Sequence, residues 1–482
     1  MLKYLKNELN YTHTENGALA YKSTLSYCLD LFALIGSMRK MPEREIILRF
    51  SDAFNENPDV AMKILFYARD IRGGLGERRV FRVILRWLCE NKPESVIKNA
   101  DFISEYGRFD DLLVLMETEC EKVAVEIIKN QLKEDMNSEG EVSLLAKWMP
   151  SVNTSSEEAV RLGKLCAERL EISEAEYRKM LSKLRRRIKI VENNLREADY
   201  TFDYAKLPSK ALFKYRRAFS CNDRDRYEAF ILSAEKNNEL LNAKTLMPYE
   251  IIAPIVDNAV SDFEKRVMDA TWKSLKDYTD DRNAIAVIDG SGSMYSYYNP
   301  MPACVALSLG IYFAERNKGA FANHFITFSE NPQLVEIKGD NICEKVKYCE
   351  KYNEIANTDI QKVFELILNT AVKNHLPQNE LPETIYIVSD MEFDCCTEGA
   401  SITNFEYAKK LYAEYGYELP NVVFWNVSAY PGHHPVRKNE QGAVLVSGCN
   451  PSIFEMTAKG ELTPEKYMMS VVGSERYAKI SA

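Results

Sequence analysis

Five consecutive residues in the C-terminal half carry one carboxylate and two hydroxyls on a tight, glycine-supported loop: Asp289-Gly290-Ser291-Gly292-Ser293. Farther on, Val388-Ser389-Asp390 ends another apolar run with a second carboxylate. Between them, Asn357-Thr358-Asp359 opens a helical stretch and offers another hydroxyl. Hard cations such as Mg2+ take oxygen ligands, at about 2.1 Å and in near-octahedral order. The competing reading is that these residues only cap helices. Hydrolytic and nucleotide-binding alternatives fail on spacing. There is no G-x-S-x-G elbow, no G-x-x-x-x-G-K-[ST] loop and no HExxH. The run Gly73-Gly74-Leu75-Gly76 follows a helical pattern, not a strand, so it is no dinucleotide fingerprint. His433-His434 and Cys395-Cys396 read as loop and core residues, since nothing supplies the remaining ligands of a zinc site. The expectation is a protein without catalysis.

A second set of residues is cationic. Residues 161 to 220 hold 16 Lys and Arg against 8 Asp and Glu. Arg178, Lys179, Lys183, Arg185, Arg186, Arg187 and Lys189 share one amphipathic helix whose apolar stripe is Leu181, Leu184, Ile188 and Val191. At about 100° per residue, Arg186 and Lys179 point away from that stripe and the others flank it. Lys210, Lys214, Arg216 and Arg217 follow shortly after. Stacked helices would let these residues line one groove that holds a phosphate backbone without reading bases. A solvated helical face carries comparable weight. Arg72, Arg78 and Arg79 surround the glycine run. They could help a helix start hold a phosphate. The favoured reading is a glycine C-cap with Arg–Asp and Arg–Glu pairs.

The elements that must position these groups follow from pattern. The chain has 482 residues, 46% apolar and 28% charged, an ordinary globular composition. Its longest apolar runs fall far short of the ~18 residues of a membrane helix. Its first ten residues have no secretory apolar core. Eleven cysteines without a CxxC read as reduced thiols of a cytoplasmic protein. Residues 1 to 250 carry a net charge of +1, whereas residues 251 to 482 carry −10. Up to about residue 275 the apolar spacing is helical, with breaks at Asn57-Pro58, Lys92-Pro93, Met149-Pro150, Leu207-Pro208 and Met247-Pro248. Stacked helical pairs, a degenerate α-solenoid, are the expected product. From about residue 280, short apolar strands alternate with helices, which predicts a doubly wound α/β sheet with sites at the carboxyl ends of its strands. Ile251, Ile252, Ile255 and Val256 form a dense patch that the two regions are expected to share.

Asp-x-Ser-x-Ser, then a lone Thr, then an Asp after an apolar strand resembles the metal-ion-dependent adhesion site of von Willebrand factor A domains. The resemblance covers residues 276–482. It implies that Asp289, Ser291, Ser293, Thr358 and Asp390 hold a divalent cation directly or through water, with one position left for an outside ligand such as a partner's carboxylate. Five oxygen donors without thiolate or imidazole select Mg2+ first, then Mn2+ or Ca2+. The two-part plan is similar to that of the Ro autoantigen family, whose N-terminal TROVE domain is a ring of HEAT-like helices. Leu65-Phe-Tyr-Ala-Arg-Asp, Tyr106-Gly-Arg-Phe-Asp-Asp-Leu-Leu, Leu207-Pro-Ser, Met247-Pro-Tyr-Glu-Ile-Ile-Ala-Pro and Ser389-Asp390-Met-Glu392-Phe carry this likeness. The set looks closest to a bacterial and viral branch with the same plan. The resemblance implies a TROVE-like helical-repeat domain over 1–275 and a cytoplasmic, non-catalytic scaffold for small non-coding or structured RNA. The alternative is a protein–protein adaptor that uses the helices and the metal site without RNA. A third expectation is a chaperone-like cofactor of an ATPase.

Overall fold

In the computed structural model, the described residues are 9–188, 190–257, 260–296, 299–329, 331–352, 359–395, 402–428, 432–457 and 463–482. Their strands are β1 Tyr11–His13, β2 Leu19–Tyr21, β3 Ala284–Asp289, β4 His324–Phe328, β5 Leu334–Glu336, β6 Thr384–Ser389, β7 Asn421–Asn426 and β8 Ala443–Ser447. β1 and β2 form an antiparallel hairpin. The other six form one sheet in the order β5-β4-β3-β6-β7-β8. Only the β4–β5 pairing in it is antiparallel.

The central strands are buried on both faces, as parallel strands between helical layers must be. Every residue of β3 and β6 is buried. Ile285, Val287, Ile385, Ile387, Val422 and Phe424 face a core completed by Val363, Phe364, Phe405 and Tyr412 from the helices Ile360–Lys373 and Asn404–Glu414. On the opposite face, Phe313 of the helix Pro302–Arg316 packs against Tyr386 of β6, with ring centroids 4.9 Å apart and the planes tilted by 55°. That helix lies so close to β3 that a Cβ on Gly310 would sit 2.0 Å from Ile288 Cδ1. The strand order grows outward in opposite directions from β3 and β6. The carboxyl ends of these two strands are therefore the switch point where an open α/β sheet opens a crevice.

The chain packs as two units, and they are not divided at residue 275. One comprises Met1–Pro42, Ser51–Glu56 and Tyr204–Ser474; the other comprises Glu43–Phe50, Asn57–Asp203 and Glu475–Ala482. Helices Pro248–Asp257 and Asp262–Lys273 join the sheet unit because their apolar faces are buried against its helices. Ile251 and Ile252 of the expected seam are fully buried. Asp269 Oδ1 accepts from Ile342 N at 2.9 Å, and Arg316 donates to Trp272 O at 2.9 Å. The N-terminal hairpin and the helix Tyr27–Leu34 belong to the same unit, and Gly36 N donates to Ser447 Oγ of β8 at 3.0 Å.

The second unit is helical. Pro58–Arg69, Arg79–Asn91, Pro93–Tyr106 and Glu121–Asn137 pack each on the next, as do Glu157–Arg169 and Glu174–Arg187. Proline opens two of these helices, where its missing N–H costs nothing. A buried carboxylate ties the first helices together. Asp111, fully buried, accepts from Arg69 Nε at 2.8 Å, from Arg82 Nε at 2.6 Å and from Arg108 N at 3.0 Å. Asp70 is held by Arg476 and by Tyr477 Oη at 3.1 Å. Burial alone would raise its carboxyl, but the Arg476 guanidinium and the N–H groups of Arg72 and Gly73 hold it below its ordinary value.

Gly310 gives a direct test of how tightly the layers that carry Asp289 are packed. Gly310→Ala should destabilise the protein by about 1–3 kcal/mol through overpacking, read as a lowered urea midpoint. Pairing it with Ile288→Ala should return part of that loss. A neutral Gly310→Ala would contradict the close approach.

Candidate functional site

Register brings the two strand-end carboxylates together. Ile288 pairs with Val388 across β3 and β6, so Asp289 lies opposite Ser389 and Asp390 follows one residue beyond it. Both are about 1% exposed. Asp289 Oδ1 accepts from Ser291 N at 2.9 Å and Oδ2 accepts from Ser389 Oγ at 2.6 Å. The Ser291 and Ser293 hydroxyls lie 3.0 Å apart. Asp390 Oδ1 accepts from Glu392 N at 3.2 Å, while its buried Oδ2 has no hydrogen-bond partner by geometry. Burial, and then the Asp390 charge, push the Asp289 carboxyl up to about 7. Burial likewise raises Asp390, opposed by the Ser293 hydroxyl and the Glu392 N–H. Among the described residues no Lys or Arg pairs with either carboxylate.

These residues fit a hard divalent cation. Two crowded carboxylates, two hydroxyls and an unpartnered carboxylate oxygen make an all-oxygen donor set with uncompensated negative charge. Among the described residues no cluster of three or more His, Cys, Asp and Glu offers a rival site. Thr358 lies outside the described residues. Its neighbour Asp359 is a helix cap, accepting from Gln361 N at 3.0 Å, so the capping alternative holds there. It does not hold for Ser291, whose side chain caps nothing although it precedes the turn Gly292–Tyr295.

The loop behind Asp390 is held in a way that residue spacing does not reveal. Met391 takes a left-handed backbone, φ +71°, and its N–H donates to Ser389 Oγ at 3.0 Å. A non-glycine residue pays for that conformation and keeps it only where its surroundings impose it. The N-terminal hairpin imposes it here. Thr14 Oγ1 donates to Phe393 O at 2.6 Å, Glu15 N to Glu392 Oε2 at 2.8 Å and Asn16 Nδ2 to Glu392 O at 2.8 Å. His433 Nε2 lies 2.9 Å from Glu392 Oε1. His434 is buried, and its backbone pairs with Tyr21. Ser389 and Glu392 stand beside the expected ligand in sequence. Their side chains become relevant only once strand ends and hairpin meet.

The cationic residues divide into inward and outward groups. Arg185 is half-buried and donates to Ala146 O, Met149 O and Ser151 Oγ, each at 2.8 Å. Arg187 donates to Asp135 O at 2.9 Å, to Gly140 O at 2.9 Å and to Ser138 O. These two arginines hold loops together and are not free for a ligand. Arg178, Lys179, Lys183 and Arg186 are exposed. With Ser151, Asn153 and Ser182 they line a cleft of about 440 Å3. Lys189 lies outside the described residues.

The remaining cations are mostly occupied. Lys210 pairs with Glu250 at 3.2 Å, Lys214 lies 4.9 Å over the Tyr215 ring, and Arg216 and Arg217 share Glu264 at 3.2 and 3.0 Å. These four belong to the sheet unit, whereas Arg178–Arg187 belong to the helical unit. Around the glycine run, Arg72 donates to Glu105 O and Arg79 pairs with Glu43 at 3.8 Å. Arg78 is exposed near Arg82 and Arg108. The turn's N–H groups are consumed by the preceding helix: Leu75 N donates to Tyr67 O, Gly76 N to Asp70 O and Glu77 N to Ala68 O. A Cβ at Gly74 would meet Tyr67 O at 2.0 Å. This turn is a helix terminator, and the N–H groups of Leu75, Gly76 and Glu77 are not free for a phosphate.

With the geometry described, the chain can be placed among its relatives. A model for a domain of unknown function, DUF2828, matches residues 14–127 and 122–283, and another, DUF7788, matches residues 283–477. The chain belongs to the DUF2828 family. It is 30% identical over 496 residues to Uncharacterized protein L728 of Acanthamoeba polyphaga mimivirus, covering 94% of this chain and 85% of that protein. Among solved structures, the Ro (RSR) protein of Deinococcus radiodurans is similar at 12% identity and a TM-score of 0.44, over 94% of this chain and all of that one. That likeness is too loose to carry an argument.

The split between inward and outward arginines is measurable. Arg185→Ala strands buried acceptors and should cost about 1–3 kcal/mol. Arg186→Ala, at the surface, should stay within about 0.5 kcal/mol of wild type. Equal urea midpoints for the two variants would refute the division.

Proposed function

We propose that this protein is a non-catalytic RNA-binding scaffold of the Ro type. Its helical unit, HEAT-like in kind, holds the phosphates of small non-coding or structured RNA. Its sheet, as a von Willebrand factor A-like module, holds a divalent cation, Mg2+ first, between Asp289, Ser291, Ser293 and Asp390. The cation's open position takes a carboxylate or similar oxygen from a protein partner. One observation carries the RNA reading: Arg178, Lys183 and Arg186 are exposed on one helix with no acidic partner among the described residues. Lys210, Arg216 and Arg217, by contrast, are paired with carboxylates. The motif likeness to the Ro family supports the same reading. The metal reading is supported by the unanswered charge of Asp289 and Asp390. A cytoplasmic setting is supported by the described cysteines, all of them free thiols. No described helix is long and apolar enough to cross a membrane.

Two measurements test the two halves. RNA binding should weaken with salt, and Arg178→Gln/Lys183→Gln/Arg186→Gln should lower the slope of log K against log[salt] by roughly 2 to 3. The affinity loss should be alike across RNA sequences, because phosphate contacts position without reading bases. An unchanged slope in a folded variant would remove the helix from the interface. Absence of RNA binding in the wild type would leave the adaptor reading.

Titration with Mn2+, followed by electron paramagnetic resonance, should show one bound ion in the wild type and none in Asp289→Ala. Mn2+ should raise the melting temperature of the wild type alone. No occupancy in the wild type would refute the metal centre.

A further inference from the structure

The cleft beside the helix Glu174–Arg187 is built for more than general attraction to a polyanion. Its wall is fixed. Arg185 binds Ala146 O, Met149 O and Ser151 Oγ, and Tyr177 Oη donates to Pro150 O at 3.1 Å. From behind, a Cβ on Gly163 would lie 3.0 Å from Ser151 C, so the helix Glu157–Arg169 backs the same segment closely. The cavity of about 440 Å3 is therefore preformed. Among the residues lining it there is no carboxylate.

Two kinds of donor face this space. Arg178, Lys179, Lys183 and Arg186 supply charge, and Asn153 and Ser182 supply neutral, solvent-facing donors. Arg178, Ser182 and Arg186 recur every four residues and so lie on one helix face, about 6 Å apart along the axis. No exposed aromatic side chain lines the cleft. Tyr177 is fully buried and its hydroxyl is engaged. A base would find nothing to stack on there, and a single-stranded site that grips bases needs such a platform.

Charge decides between phosphate types. An internal phosphodiester brings one negative charge, whereas a phosphate monoester carries about −1.5 to −2 at pH 7 and three acceptor oxygens. Arg178, Lys183 and Arg186 line the cleft without an acidic partner among the described residues, while Lys179 also faces Glu176. This surplus of positive charge matches the more highly charged, donor-hungry group. We propose that this cleft is a phosphomonoester site, which takes the terminal phosphate of an RNA strand in preference to an internal phosphodiester. The proposal deepens the phosphate-binding reading of the helical unit and rests on it.

The test uses the full-length protein and two single-stranded oligonucleotides of one sequence, with and without a 5′-phosphate. Inorganic pyrophosphate serves as competitor. The phosphorylated strand should bind at least about fivefold more tightly, and pyrophosphate should compete saturably for that advantage. Arg178→Gln/Arg186→Gln removes charge from the cleft, so it should erase the fivefold preference, whereas Asn153→Ala/Ser182→Ala keeps every charge and should only reduce it. Equal binding of the two strands overturns the proposal, as does a preference that survives Arg178→Gln/Arg186→Gln. Saturable pyrophosphate binding with no preference between strands also overturns the assignment to an RNA end and marks a site for a small phosphate. Each of those results leaves RNA binding standing. Failure of both strands to bind at all removes the reading beneath it.

Discussion

Buried negative charge is the constraint around which this protein is organised. A carboxylate removed from water must be met by a cation, by several donors or by a proton. Asp111 is met by two guanidinium groups and a backbone N–H, and Asp70 by Arg476, Tyr477 and the glycine turn. Asp289 and Asp390 are treated differently. They receive hydroxyl and backbone donors, and among the described residues no side-chain cation reaches them. The same chain thus neutralises buried acids with arginine where it needs rigidity. Where its sheet opens a crevice, no described Lys or Arg answers the two carboxyls, and burial pushes both toward the protonated form.

That contrast explains the investment in the loop after β6. The loop must hold Asp390 at the strand end against the repulsion of Asp289 and of Glu392, with Met391 in a backbone conformation that costs free energy. The hairpin β1–β2 supplies the restraint from the far end of the sequence, through Thr14, Glu15 and Asn16. A site made of short side chains on adjacent strand ends needs such bracing if it is to hold the hard cation proposed for it, whose oxygen ligands tolerate little error in position.

In the helical unit, arginine has two roles that composition does not separate. Arg69, Arg82, Arg185 and Arg187 face inward and connect segments distant in sequence, where a planar guanidinium can satisfy several carbonyls or both oxygens of a carboxylate. Arg178 and Arg186 face outward beside a rigid cleft. The local excess of positive charge is therefore a poor measure of the surface offered to a phosphate. Part of that excess is spent on internal hydrogen bonds.

The sequence by itself determined the type of each half. Helical spacing with proline and glycine breaks up to about residue 275, then buried strands alternating with helices, follow from local periodicity, and the structure has both. It also marked Asp289, Ser291, Ser293 and Asp390 as strand-end oxygen donors, because each sits where an apolar strand must stop. That the glycine run ends a helix was legible for the same reason, because turn chemistry is local. Of Arg72, Arg78 and Arg79, however, only Arg79 pairs with a carboxylate among the described residues, and Arg72 binds a carbonyl. Tertiary structure decided what is not local. It set β3 beside β6, so that Ser389 reaches Asp289. It also brought residues 11–21 onto the loop of Glu392, and joined residues 204–275 to the sheet unit and residues 475–482 to the helical one. Periodicity could say that Arg185 and Arg187 flank an apolar stripe. It could not say that carbonyls from another segment wait there, because a partner remote in sequence leaves no mark in the spacing of the residues it binds.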